Sequence, residues 1–444
     1  MTMILSLYNI LFENNDKRYL LNSQTRLFSQ IHPELYIKLL DGSFMDYPEE
    51  VLKTLKEKKI LVPEEEKYNY YYSRQSMYLR GKYDPTHLGL VLVPTTACNL
   101  DCYYCFEPKK NPNTISDETI GKLVETIRNR KQLKSISITW YGGEPLLAFG
   151  QIKKIWEGLT HEGMPSINFQ SIITNGVLLD EEKVRFFKEA GLNTMQITLD
   201  GNAKRHDSIR CFKSNRKPTF DLILENIDKA TEIYPELVIN IRVNIDRENW
   251  EDYVAISKMV SERYPGKKVN VYPGFLRIDN DTMTGLCHPS ILPKEHIAFR
   301  KRCREHGVHA ELFPVRTGHG CMLQADNSMI IGPEGEIYKC WNDVSDPDKV
   351  TGHISDERRG NRTLNFRYLH TCSPFNEECR ECAVFPICDG GCGHQRYRNT
   401  YEGGRYDLCT PYKDPEVLKD ALLSGDFDLN PAKKRGGVTI NGNF

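Results

Sequence analysis

The sequence has no long hydrophobic run and almost no net charge. No window approaches the roughly 18 uninterrupted apolar residues of a membrane span, so neither a bilayer nor a basic field that attracts one is expected. With 59 Lys plus Arg against 60 Asp plus Glu, no sequence-wide positive potential draws the chain to nucleic acid. A small-molecule or peptide partner is the expectation. The opening MTMILSLYNILF carries no basic stretch ahead of its apolar residues, so no secretory signal is read there and the expected location is cytoplasmic. Thiols stay reduced in that compartment, and the 14 cysteines therefore read as metal ligands before disulfides. Regular periodicity is also scarce beyond residue 278, where Gly, Pro and Cys abound. Such a segment needs something other than a large core to order it.

At 444 residues the chain exceeds what one core usually organises. Residues 1–80 read as a small winged-helix-like unit: ILSLYNILF and KRYLLNSQTRLF are strand-like, HPELYIKLLDGS and YPEEVLKTLKEKK are helix-like, and ILVPEEE closes the set. A tyrosine-rich connector, YNYYYSRQSMYLRGKY, follows, expected to lie on the next domain as packed aromatics. From Leu88 to Arg277, six β-branched runs alternate with amphipathic helical stretches. That pattern means βαβ units and a parallel sheet. The expected fold is α/β, a partial (β/α)6 barrel over 81–277 between the small N-terminal unit and a cysteine-rich region over 278–444. In such barrels the loops after the strands carry the chemistry.

Just after the first of these strands stands CNLDCYYCFEP, in which Cys98, Cys102 and Cys105 are spaced x3 and x2. Three thiolates can wrap one iron–sulfur cube and leave one iron without a protein ligand. Taken alone, the spacing also suits zinc with a distant fourth ligand, or incidental thiols. The second strand ends in YGGEP, Tyr141 to Pro145. With this context the chain resembles the radical S-adenosylmethionine superfamily, whose triplet carries an aromatic residue, here Tyr104, before the last cysteine.

The resemblance, which spans about 190 residues from Leu88, implies much about the site. The open iron would be chelated by the amino and carboxylate groups of S-adenosylmethionine, and an electron would split the sulfonium to give a 5'-deoxyadenosyl radical. Gly142 and Gly143 would let the backbone approach a ligand closely, with Glu144 an acceptor for the methionine amino group. Strand ends TNG (Thr174, Asn175) and LDG (Thr198, Asp200) offer polar groups to ribose, or serve as turn chemistry. Arg210 would pair with the methionine carboxylate, a task suited to a planar guanidinium. Asn244 stands where relatives contact adenine. His206 is expected to be a surface or a structural residue, and no catalytic acid or base is assigned.

The C-terminal cysteines form a ladder: Cys321-x13-Gly335-x4-Cys340, then Cys379-x2-Cys382-x5-Cys388-x3-Cys392-x16-Cys409. These intervals resemble the SPASM extension of the superfamily, with two auxiliary four-iron clusters; zinc knuckles are the bland alternative. By resemblance Cys379, Cys382, Cys388 and Cys409 hold the outer cluster, and Cys321, Cys340 and Cys392 the inner one. The inner set lacks a ligand, for which Cys303 and then Cys287 are the upstream candidates, unless the position stays open. Cys211 and Cys372 fit no motif and are expected to be ordinary small buried residues.

Three clusters in all, S-adenosylmethionine, and an electron donor such as flavodoxin or ferredoxin are thereby implied. Auxiliary clusters suit a net oxidation, since a substrate radical that closes a new bond must lose an electron. SPASM members chiefly act on peptides, so the expected function is oxidative modification of a ribosomally made precursor, most readily a thioether or carbon–carbon crosslink. A sulfatase-maturing enzyme that makes formylglycine is the alternative; such relatives place an acidic base directly after the cysteine matching Cys340, where this chain has Trp341, with Asp343 nearby. A non-catalytic iron–sulfur electron carrier is the alternative of another class.

Overall fold

In the computed structural model the described residues are 2–105, 112–247, 249–275, 295–312, 321–356, 360–371, 375–388 and 390–425. The N-terminal unit holds strands β1 (Met3–Leu5), β2 (Asn9–Asn14), β3 (Lys17–Asn22), β4 (Leu27–Ile31) and β5 (Leu61–Pro63), with helices α1 (Pro33–Asp41) and α2 (Glu49–Glu57). Each strand-like stretch of sequence divides into two strands. Asn9 donates its backbone N–H to Ser6 at 3.1 Å, and Thr25 donates to the Asn22 side chain at 2.9 Å. These side-chain and backbone turns cut runs that apolar content alone would join. The strands make an antiparallel β2-β3-β4 sheet and a β1-β5 ribbon.

The connector is helix α3 (Asn69–Lys82), and it packs on the cysteine-rich region as well as leading into the barrel. Tyr71 meets Phe375 and Phe385 with ring centroids 5.4 and 5.3 Å away. The Lys82 ammonium, buried at 7% exposure, donates to the Leu369 carbonyl at 2.5 Å.

The barrel strands are β6 (His87–Thr95), β7 (Ser135–Gly142), β8 (Ser166–Thr174), β9 (Thr194–Thr198), β10 (Val238–Ile245) and β11 (Val269–Phe275). All neighbours among them pair in parallel. Between them run α4 (Asp117–Asn129), α5 (Phe149–Thr160), α6 (Glu181–Glu189), α7 (Ala203–Ile209), α8 (Phe220–Ile233) and α9 (Trp250–Arg263). Alternate strand residues such as Ile136, Ile138, Met195, Ile197, Ile239 and Ile241 join helix residues such as Leu123, Ile152, Phe187 and Ile227 in one core. The other face of the strands looks into the concavity.

The sheet does not stop at six strands. The cysteine-rich region supplies β12 (Ser328–Ile331), β13 (Glu336–Tyr338) and β14 (Gly352–His353), and β12 pairs in parallel with β6. Helices α10 (Glu295–Glu305), α11 (Arg362–Thr371), α12 (Glu377–Arg380), α13 (Gly393–Tyr401) and α14 (Pro415–Ser424) complete the helices of the described residues. The β2-β3-β4 sheet packs here too: Tyr19, Leu21 and Phe28 share a core with Ile297, Leu312, Ile387, Tyr412, Leu418 and Leu422. No helix among the described residues is long and apolar enough to cross a membrane.

Candidate active site

The site begins where β6 runs out. Cys98, Cys102 and Cys105 are half-buried in the loop beyond Thr95. That loop is held by backbone bonds from three elements: Glu144 N–H to the Ala97 carbonyl at 2.8 Å, Lys213 N–H to Asn99 at 2.8 Å, and Thr96 N–H to Asn113 at 3.0 Å. Burial pushes the Cys102 thiol up to about 11; Arg210 opposes the rise, and Asp200, Cys105 and Cys98 add to it. A thiolate at Cys102 is disfavoured by burial, and a bound metal would stabilise it.

Over this loop four of the sequence-predicted cofactor residues meet. The Tyr104 hydroxyl donates to Asp200 and accepts from Arg210 Nη1 at 2.8 Å and Asn244 Nδ2 at 3.1 Å. Arg210 is 9% exposed and Asp200 1% exposed, with 3.7 Å between Nη1 and Oδ2. Burial raises the Tyr104 hydroxyl well above its usual value, so it stays protonated. Three buried polar atoms here have no hydrogen-bond partner among the described residues: Asp200 Oδ1, Arg210 Nε and Asn99 Nδ2. Orphaned groups of this kind cost free energy unless a ligand engages them. A zwitterionic amino acid joined to a ribose and a base has the donors and acceptors to do so, and the residues fit that cofactor.

His206, expected at the surface or in a structural role, is not at the surface and is structural. Fully buried, it accepts the Asp200 backbone N–H on Nδ1 at 3.2 Å and lies 3.1 Å from Thr219 Oγ1 through Nε2. Thr219 in turn donates to the Arg210 carbonyl. Burial, with Arg210 beside it, depresses the imidazole to about 3, so the neutral ring clamps the turn that carries both Asp200 and Arg210.

Gly142 and Gly143 are needed for a close approach, and the partner is the chain itself. A Cβ on Gly142, which has φ +128°, would lie 2.3 Å from the Thr95 carbonyl oxygen, and one on Gly143 2.4 Å from that of Ala97. The glycines thus seat the second strand end on the cysteine loop. Glu144 is 0% exposed. Its Oε1 accepts from Thr174 Oγ1 at 2.7 Å and Leu146 N–H at 3.0 Å, and Oε2 from Asn175 N–H at 2.7 Å. The carboxylate expected to receive the methionine amino group is thus already a brace between the second and third strand ends. Thr174 and Asn175 show turn chemistry: their side-chain oxygens accept from Gly176 and Val177 N–H at 3.0 Å each, and Asn175 Nδ2 reaches Asn99 at 2.7 Å. Thr198, at 8% exposure, ends the fourth strand on the same face.

The C-terminal cysteines gather in two groups. Burial raises the Cys379 thiol to about 11; Arg396 opposes the rise, and Cys388, Cys382 and Cys409 add to it. Lys413 Nζ reaches Cys409 Sγ at 3.3 Å. Cys340 is pushed up by burial and lies near Asp343, Cys321 and Cys392. Gly335, at φ +93°, makes the turn between β12 and β13, where a Cβ would press within 2.7 Å of Ile354. Cys303 does not join the inner group: it is fully buried in the barrel core with Phe299 and Tyr253. Cys211 is 1% exposed, while Cys287 and Cys372 lie outside the described residues. Instead, Cys340 Sγ, an Asp343 oxygen and a His394 ring nitrogen lie within 4.8 Å of one another. Asp343 also accepts from Tyr368 at 2.7 Å. Trp341, beside Cys340, sets its ring edge-on to Tyr141 at 4.7 Å and links the inner cysteines to the YGGEP strand end. His394 and Tyr368 went unseen in the sequence because neither sits in a motif; only the fold brings them to Asp343.

A parallel half-barrel with a thiol triplet at its strand ends, a buried Arg–Asp–Tyr knot above it and two further thiol groups defines an iron–sulfur enzyme that takes a polar, zwitterionic cofactor. Comparison with known proteins agrees. The Radical SAM superfamily domain matches residues 92–260. A GTP 3',8-cyclase of Clostridium perfringens is 32% identical over 286 residues, 59% of this chain and 84% of the cyclase. A cysteine-type anaerobic sulfatase-maturating enzyme of the same species is 23% identical over 74% of this chain and 95% of its own. The crystal structure of Streptococcus suis SuiB bound to precursor peptide SuiA aligns with TM-score 0.51 and 15% identity, covering 92% of this chain and all of SuiB. The chain belongs to the radical S-adenosylmethionine superfamily, in its SPASM-bearing branch, and takes S-adenosylmethionine and iron–sulfur clusters as cofactors.

Proposed function

We propose that the protein is a peptide maturase that oxidatively modifies a ribosomally made precursor, closing a thioether or carbon–carbon crosslink. The observation that carries this reading is the N-terminal unit. The likeness to peptide-bound SuiB leaves only 8% of this chain uncovered, about 36 of its 444 residues, so it must include part of residues 1–80. A three-stranded sheet with edge strands β2 and β4 can accept a peptide as an added strand.

Bound at the triplet, the cofactor and its cluster supply a 5'-deoxyadenosyl radical that removes a substrate hydrogen atom. This chain's residues do the rest. Cys98, Cys102 and Cys105 hold the cluster, and Arg210 and Asp200 orient the cofactor, with Tyr104, Thr198 and Asn244 completing the wall. Glu144, Thr174 and Asn175 keep the strand ends in register beneath it. Cys321, Cys340 and Cys392 hold the inner auxiliary cluster, and Cys379, Cys382, Cys388 and Cys409 the outer one.

Formylglycine formation is the second reading, favoured by the sulfatase-maturating relatives that match over nearly their whole length. Against it, Trp341 occupies the position of the acidic base, and Asp343 is 1% exposed, bonded to Tyr368 and close to His394. The test is anaerobic reconstitution with S-adenosylmethionine and a reductant, given either the precursor encoded beside the gene or a sulfatase-motif peptide. A crosslinked precursor supports the proposal. An aldehyde trapped by a hydrazide on the sulfatase peptide, with no precursor product, replaces it with the second reading.

A further inference from the structure

Arg242 is the only Lys, Arg, Asp or Glu in the six barrel strands β6 to β11. Its strand fixes where it points. Ile239, Ile241, Val243 and Ile245 are all fully buried in the core beneath the helices, so the alternation of the strand puts Asn240, Arg242 and Asn244 on the concave face. In register, Arg242 stands between Thr198 of β9 and Tyr272 of β11.

The place is built for a guanidinium. Arg242 Nε donates to Asn244 Oδ1 at 2.9 Å. A Cβ on Gly274 would lie 2.3 Å from Nε and 2.9 Å from Nη2, so the cation rests against a backbone that any side chain at 274 would deny it. Yet no carboxylate answers it: among the described residues none pairs with Arg242. The neighbouring strand side chains on the concave face are neutral, and Tyr272 is within hydrogen-bonding reach of Arg242. Tyr272 bonds Gln196, Asn270 bonds Asn240, and Thr139 bonds Ser171. A half-buried cation without a counter-charge is costly to desolvate unless a ligand supplies one. Through Asn244, Arg242 stands one side chain from the Tyr104 hydroxyl and the cofactor knot.

We propose that Arg242 binds a carboxylate of the substrate, either an acidic side chain or the C-terminal carboxylate of a peptide, and so sets which residue faces the radical. A guanidinium offers a planar fork that matches a carboxylate by paired hydrogen bonds. This deepens the peptide-maturase reading and rests on it for the identity of the substrate.

The test needs no radical chemistry, so a failure to form crosslinks and a failure here remain separate. Cluster-reconstituted protein is titrated by ligand-observed NMR with two probe pairs: N-acetylglycine against N-acetylglycinamide for a chain end, and N-acetylaspartate α-amide against N-acetylasparagine amide for a side chain. In one pair or both, the carboxylate should bind roughly ten- to a hundredfold tighter than its amide, the range of one charge-assisted bond. Whichever pair shows the preference names the source. Arg242→Gln should erase it, and Arg242→Lys should keep part of it while reporting that the barrel folds. No preference in the parent protein, or a preference that survives in Arg242→Gln, overturns the proposal. So does a tenfold loss of S-adenosylmethionine affinity in Arg242→Gln with the probe preference unchanged, because the cation would then serve the cofactor.

Discussion

Arg210 gathers the site at the scale of single residues. It touches Tyr104, faces Asp200, and leaves Nε without a partner among the described residues, so its charge is poised for a ligand carboxylate. Loss of a charge-assisted bond typically costs about 1.5 to 3 kcal/mol. Arg210→Ala should therefore weaken S-adenosylmethionine binding by roughly ten- to a hundredfold, and an unchanged dissociation constant in equilibrium dialysis would refute its role. The triplet makes a second residue-scale forecast. Replacing Cys98, Cys102 and Cys105 together by Ala should abolish 5'-deoxyadenosine formation and leave roughly eight irons per chain, the content of two cubane clusters; a variant that still cleaves the cofactor would remove the triplet from the reaction. His206 sets a pH dependence. Its folded-state value, about 3, lies below the ordinary 6.5 or so, so the unfolded chain binds the extra proton. The contribution is complete above about pH 6.5 and is lost as pH falls from there toward about 3. Denaturant midpoints should accordingly fall less steeply over that window in His206→Gln than in the parent protein, and parallel profiles would show that the imidazole is not held neutral.

The strand ends act together at the scale of elements. Gly142 and Gly143 press on the backbone of residues 95–97, and Glu144 ties the second strand end to the third. Gly143→Ala would drive a methyl into a carbonyl that cannot rotate away, so the cysteine loop must shift. A core overpacked in this manner typically loses about 1 to 3 kcal/mol; the expected result is a lower thermal midpoint together with a weakened S-adenosylmethionine complex. Unchanged binding with a lowered midpoint would confine the glycines to packing. Elements also mark how far the sequence could be read. The barrel was legible because apolar alternation and helix periodicity are local signals, and the cysteine ladders because their intervals are. The braced state of Glu144, the knot about Tyr104 and the position of Arg242 were not, since each depends on which strands become neighbours. Arg242 did leave one trace: a charge in the middle of the otherwise uncharged run VINIRVNI.

Across the whole molecule, the N-terminal unit is fastened to the cysteine-rich region rather than standing apart. Tyr19, Leu21 and Phe28 pack into the core that holds Val384, Ile387 and Tyr412, and those residues lie among the cysteines of the outer group. No local pattern announces such a contact between the two ends of a chain. It changes how peptide recognition can be tested, because deleting residues 1–68 would expose that core and should release iron from the outer site, confusing a lost binding unit with a lost cluster. Surface substitution avoids this. Helix α1 buries Leu35, Tyr36 and Leu39 but leaves Ile37 at 59% and Leu40 at 60% exposure, with Met45 at 53% just beyond. Ile37 and Leu40 are three residues apart, hence on one stripe, and an exposed apolar stripe is where a peptide would lay its own apolar side chains. The double variant Ile37→Asp, Leu40→Asp should keep its iron content and thermal midpoint while binding the gene-adjacent precursor at least tenfold more weakly by titration calorimetry, about 1.4 kcal/mol. Equal affinity in a fully iron-loaded variant would leave this unit as a cap on the cysteine-rich region and place precursor recognition on another surface.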